Sequence, residues 1–329
     1  MSGTLRRARR APARASRQRG IALLTAILLV ALGTILATAL AYQNAMTARR
    51  GQGSFAFDES VLVAEAGEAL AAYALVQSRQ GNNQDYPGQP WSTTYGPVEV
   101  VPGITLTAQV EDLAGRFNLN QLVDQYGVID PQALQAFQNL LEILGLESKW
   151  GPLIADWIDA DSIAWPVDGA EDATYLSQQP PYRTANRQIT SASELLALPG
   201  FGRDRYLRLA PYVTALPRID FKINLCSASG PVLDALGPTA ERNYSAMDAQ
   251  ALAKERTDGC FPTLAAYQQA YSTAQGFTTS LAKMDVAETS NYFRLLSIVD
   301  VGSTRFYLYS LLHREQNHVH VIQRSFTAD

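Results

Sequence analysis

The sequence predicts an α+β protein organised on one long amino-terminal helix. That helix crosses a membrane and then packs on an antiparallel sheet, and a large, mostly helical domain is inserted into the sheet. Three observations carry this. From Ile21 to Ala41 the chain runs 21 residues without a charge, about 32 Å of helix, enough to cross the hydrocarbon core of a bilayer. Apolar residues then recur at helical spacing as far as Arg79. Finally, strand-like segments at 98–110 and 293–325 enclose about 170 residues of mainly helical pattern. The expected divisions are a basic leader (1–20), a transmembrane helix (21–41), a first α/β part (42–118), the helical insertion (119–288) and closing strands (289–329).

Seven arginines and no acid precede the apolar run, which keeps the amino terminus cytoplasmic and places the rest beyond an inner membrane. Two processing readings compete. One is a secretory signal cut after Ala41, leaving an ordinary secreted protein. The other cuts after Gly20 and leaves the apolar helix attached, and here the leader resembles the type IV prepilin class. That class implies a prepilin peptidase that cleaves after Gly20 and methylates Ile21. The run is longer than a usual signal core, which favours this second reading. Glutamate is usual at mature position five of that class, but Thr25 stands there. Its hydroxyl is expected to bond back to the Ile21 carbonyl.

The charge balance narrows the partners. Net charge is −4, but removing residues 1–20 takes away seven of 27 basic side chains and none of 31 acidic ones, leaving −11. A chain so acidic has no general attraction for nucleic acid, so no nucleic-acid partner is expected. The two cysteines, Cys226 and Cys260, would form a disulfide in an oxidising compartment.

In chain order, Gly51 and Gly53 are expected to bend the long helix. Phe55, Leu62, Ala66, Leu70, Tyr73 and Val76 form its apolar stripe, directed at the sheet, with Asp58, Glu59, Glu65 and Glu68 mostly opposite. A Pro102-Gly103 turn joins a hairpin. Asp130-Pro131 caps a helix ending at Gly145, and a second helix runs from Lys149 to Asp159. Ser191 to Glu194 reads as a capping box opening a third, which meets Leu198-Pro-Gly-Phe-Gly202 and another helix from Arg203 to Tyr212. Short helices follow near 231–236, 245–256 and 263–275. Segments 293–299, 305–312 and 318–325 close the chain as a β meander.

No phosphate-binding loop, nucleophile elbow, HExxH or CxxC is present, so no enzyme is expected. All three histidines lie in the last 17 residues. His318 and His320 share one strand face, which reads as an ordinary exposed face. The best site candidate is the acidic segment after Asp156: Asp159, Asp161, Asp168, Glu171 and Asp172 fall within 14 residues. Crowded carboxylates need a cation, and all-oxygen ligands suit calcium. The spacing is not that of an EF-hand, because Ile163 stands where an oxygen ligand is required. Leu198 to Gly202 is similar to a helix-hairpin-helix, and with Arg203, Arg205 and Arg208 beside it raises a periplasmic DNA-binding or uptake protein as an alternative. The acidic charge opposes that alternative, and so does Leu233 to Pro238, which lacks the matching glycine turn.

Several motifs converge on one family. Arg19-Gly20-Ile21, Gly115-Arg-Phe-Asn-Leu-Asn120, Asp156-Trp-Ile-Asp-Ala-Asp161, Gly169-Ala-Glu-Asp172, Pro180-Pro-Tyr-Arg-Thr-Ala-Asn186, Ser193-Glu-Leu195 and Ile223-Asn-Leu225 jointly resemble the type II secretion minor pseudopilin K component. The resemblance spans nearly the whole chain. It implies a pilin-like fold with a helical insertion, calcium bound in that insertion, and a place at the pseudopilus tip. The implied partners are the minor pseudopilins H, I and J and the major pseudopilin.

Overall fold

The computed structural model describes residues 19–81, 83–237, 244–271 and 285–327. Leader residues 1–18, the end of the helix expected to reach 275, and Pro238 lie outside the described residues. The chain divides into two units, Met1–Glu59 and Ser60–Asp329.

Helix α1 spans Arg19–Gly81, 63 residues, and is long and apolar enough at its amino-terminal end to cross a membrane. At Gly51 and Gly53, where a bend is expected, the helix continues without a break. Glycine weakens a helix by about 1 kcal/mol but keeps its N–H, so the hydrogen-bond ladder runs on. The Thr25 hydroxyl donates to the Ala22 carbonyl at 3.0 Å rather than to Ile21. In a helix a threonine hydroxyl can reach either the i−3 or the i−4 carbonyl, and here it takes the nearer.

After α1 come β1 (Tyr95–Val101), β2 (Ile104–Asp112) and the short β3 (Phe117–Asn118). The helical part follows with α2 (Pro131–Ile143), α3 (Trp150–Ile158), α4 (Asp172–Leu176), α5 (Gly202–Leu209), β4 (Val213–Thr214), β5 (Ile223–Asn224), α6 (Gly230–Leu236), α7 (Ala249–Glu255) and α8 (Leu264–Tyr271). The chain closes with β6 (Val286–Ala287), β7 (Tyr292–Val301), β8 (Thr304–Glu315) and β9 (His318–Ser325). The main sheet is antiparallel, in the order β1-β2-β7-β8-β9. Strands from before and after the helical part therefore join at β2–β7, through nine consecutive pairs from Ile104↔Val301 to Asp112↔Phe293. Two-residue parallel pairings, β3–β4 and β5–β6, tie the helical part to the ends of those strands.

The packing of α1 reverses one expectation. The face on the sheet is Val63, Ala64, Gly67, Glu68, Ala71 and Leu75, all buried. Leu62, Leu70 and Tyr73, assigned by periodicity to the sheet, are instead 66 %, 40 % and 64 % exposed. Both faces are apolar, and close approach chose between them. A Cβ on Gly67 would stand 3.0 Å from the Ser297 hydroxyl, so the small-residue face is the one that fits. Glu68, expected on the solvent side, is buried, accepting from Arg324 at 2.8 and 2.7 Å and from Ser310 at 2.6 Å. The bidentate pairing satisfies its charge.

The helical part has its own core, which includes Phe117, Phe137, Leu140, Ile154, Tyr175, Phe201 and Ile223. The Asp130 side chain caps α2 by accepting from Gln132 and Ala133. The capping box at Ser191 is present, but it opens a 3₁₀ turn, Ala192–Ala197, rather than an α-helix. Cys226 and Cys260 are disulfide-bonded.

Candidate metal centre

α3 ends at Ile158, and its apolar stripe buries Ile154, Ala155, Trp157 and Ile158. The acidic residues that follow therefore begin inside the protein: Asp156 is fully buried and Asp159 is 2 % exposed. One oxygen of Asp156 accepts from the Trp165 N–H at 3.0 Å and from the Ala170 N–H at 2.8 Å, closing the loop on itself. That closure brings Glu171 back beside the end of α3.

Asp159, Asp161 and Glu171 have ligand oxygens all within 4.8 Å of one another. Thr184 Oγ1 donates to Glu171 at 3.0 Å, and the Asn186 amide donates to the Asp161 carbonyl. One buried oxygen each on Asp156, Asp159 and Glu171 has no hydrogen-bond partner among the described residues. Burial, with Asp161, Asp156 and Glu171 nearby, pushes the Asp159 carboxyl up to about 8. Burial also raises Asp156 and Glu171. A buried carboxylate oxygen left without a donor is costly on an anion, and a hard cation would supply what the protein withholds there.

Of the five expected ligands, the structure thus gathers Asp159, Asp161 and Glu171. Asp172 turns to Arg183 at 3.2 Å and to the Thr184 N–H at 3.1 Å. Asp168 is exposed on the loop at a φ of 62°. Asp156 was absent from the expected ligand set although its carboxylate organises the loop. The signal for it was its place in the last turn of an apolar helix, where an unpaired acid needs a purpose. Thr184 and Asn186 were legible only as members of a motif.

Gly169 is dictated by this loop. A Cβ there would stand 2.3 and 2.4 Å from the Trp165 backbone and 2.5 Å from the Asp156 carboxylate. Gly169→Ala is expected to cost about 1–3 kcal/mol by forcing the loop open. Denaturant unfolding checks it, and an unchanged midpoint would contradict so tight a fit.

The helix-hairpin-helix resemblance fares differently. Its first arm is the 3₁₀ turn, and Arg205 is bound at 3.0 Å by both oxygens of Glu147 and donates to the Gly200 and Phe201 carbonyls. That arginine is committed within the fold rather than offered to a phosphate.

A family profile described as type II secretion system (T2SS), protein K matches residues 115–218. The type II secretion system protein K of Pseudomonas aeruginosa is 32 % identical over 317 residues, spanning 90 % of this chain and 89 % of that protein. The chain belongs to the type II secretion system protein K family. The protein K of Pectobacterium carotovorum is 31 % identical over 321 residues, covering 94 % of this chain and 97 % of its own length. Among solved structures, the GspK-GspI-GspJ complex of the enterotoxigenic Escherichia coli type 2 secretion system matches with a TM-score of 0.70. That match covers 85 % of this chain and all of the other at 24 % identity, and it shows the shared fold.

Protein K is a structural component of the secretion system, with the role of a minor pseudopilin. Several of the family motifs prove to be staples. Asn118 and Asn120 hold the Ile189 and Leu216 backbones at 2.9–3.0 Å. Asn224 donates to Asp85, Asp112 and Ser290 at 2.7–2.9 Å. They join loops rather than act on a substrate.

Proposed function

We propose that this protein is anchored in the inner membrane by α1, with its second unit in the periplasm, and that it starts or caps the pseudopilus at the tip. The observation that carries the assembly reading is the second apolar face of α1. A helix apolar on two sides is built to be covered on both. The sheet covers one side, while Leu62, Leu70 and Tyr73 stand ready for the helices of other subunits. The minor pseudopilins H, I and J and the major pseudopilin are the partners this reading assigns. The matching solved structure, in which GspK is in complex with GspI and GspJ, supports it. The protein acts by assembly rather than catalysis.

Thr25 supports a place at the end of the filament. A glutamate there would pair in the bilayer with the free amine of a neighbouring subunit, and a first subunit has no earlier neighbour to pair with. The threonine satisfies its own hydroxyl within the helix. Calcium is the cation assigned to Asp159, Asp161 and Glu171, because their all-oxygen donors suit a hard ion. When bound, it would neutralise their charge and hold the loop between α3 and α4.

Quantitative mass spectrometry of isolated pseudopili tests the reading. It should find a mature chain beginning at N-methylated Ile21, at about one copy per filament. A chain beginning at Tyr42, or a copy number comparable with the major subunit, would reject it.

A further inference from the structure

The protein holds three histidines, and the β8–β9 hairpin gathers all of them on one face. His313 is paired directly with His320, and Glu315 with His318, across a two-residue turn in which Gln316 has a φ of 47°. Directly opposed residues in a sheet project to the same side, and so do residues two apart on one strand. The intervening Leu312 and Arg314 are buried on the other side, towards α1. His313, Glu315, His318 and His320 therefore form a square on the side turned away from α1.

The geometry points to a zinc-class transition-metal site made by these four side chains. Three imidazoles and one carboxylate are a donor set that suits zinc or copper and is too nitrogen-rich for calcium. His313 Nδ1 lies 3.2 Å from Glu315 Oε1. Two ligands at about 2.05 Å from a tetrahedral ion are about 3.3 Å apart, so this pair already has the spacing of one edge of the site. The His313 ring is held in place by stacking on Tyr292, with 4.5 Å between centroids, and the Tyr292 hydroxyl is itself tied to the Ile219 carbonyl at 3.0 Å. The His318 and His320 rings lie nearly parallel, 6.3 Å apart, and both residues are exposed.

Among the described residues only the acidic group has three ligand atoms already within 4.8 Å of one another. Closing the second site takes rotation of the His318 and His320 rings, which exposure leaves free. His313 Nε2 is buried without a hydrogen-bond partner among the described residues. Ligation through Nδ1 leaves the proton on that nitrogen, so His313 is the weakest of the three imidazole ligands.

The test uses the full chain in detergent, purified without a histidine tag and kept in millimolar calcium so that the acidic site is not in play. Titration with zinc chloride should show one ion per chain with a Kd of about 1 μM or tighter. His318→Gln and His320→Gln should each weaken it by about tenfold or more, and His313→Gln by less. The double variant should lose stoichiometric zinc and the visible d–d bands of the cobalt-substituted protein, with its metal-free melting temperature unchanged. Zinc binding that survives the double variant overturns the proposal. So does binding only above about 100 μM, and so does binding abolished instead by Asp159→Asn with the histidines intact.

Discussion

Protein stripped of calcium is expected to melt about 5–10 °C below protein saturated with it. A ligand that binds only the native state contributes about 2.7 kcal/mol at a hundredfold excess over Kd, and a domain of this size shifts by about 2–4 °C per kcal/mol. The effect should depend on pH, with a definite sign. The folded value of Asp159, about 8, lies above its unfolded value of 3.8. Between the two, the native state without metal binds more protons than the unfolded state, so its stability falls as pH rises through that window. Calcium replaces the proton as counter-charge, so the difference between chelated and loaded protein should widen from about pH 5 to pH 8. Differential scanning fluorimetry in chelator and in millimolar calcium across that range decides it. Coincident melting curves at pH 8 would remove the site.

Arg314→Met is expected to destabilise the second unit by about 3–5 kcal/mol. Arg314 and Asp85 are each 1 % exposed and ion-paired, and the same guanidinium donates to the Leu75 carbonyl at 3.0 Å and to the Ser290 carbonyl at 2.6 Å. One buried cation thus joins α1, the loop after it, the approach to β7 and β8. Removing it leaves a buried aspartate held by the Ser290 N–H at 2.9 Å, with the more distant Arg79 at 3.8 Å as its remaining ion pair among the described residues. A double-mutant cycle with Asp85→Asn separates the pair from its setting. If the single change cost less than about 1 kcal/mol in denaturant unfolding, the pair would not be the joint described here.

The apolar run from Ile21 to Ala41 and the acidic segment after Asp156 were legible because each depends on local composition. Twenty-one uncharged residues are, as a helix, long enough to cross a bilayer wherever they occur. Five carboxylates in 14 residues repel whatever surrounds them. The strands at both ends were legible for a similar reason, since alternation and turn residues act over short distances. Cys226 and Cys260 were legible as a pair by count.

Tertiary contact decided the rest. Periodicity assigned Leu62, Leu70 and Tyr73 to the sheet, but a helix with two apolar faces does not declare which one docks; Gly67, which lets the backbone come close to Ser297, made that choice. Glu68 read as a surface acid until Arg324, 256 residues later, came to meet it. Within the acidic segment, composition could not separate the carboxylates that converge from the one that turns to Arg183, because closure of the loop depends on Asp156 bonding Trp165 and Ala170. The histidine square exists only through the register of β8 with β9. The sequence by itself determined the membrane-spanning length, the acidic balance, the capped helices and the family. Which faces meet, and which charges share a site, are set by long-range packing, and neither propensity nor spacing records it.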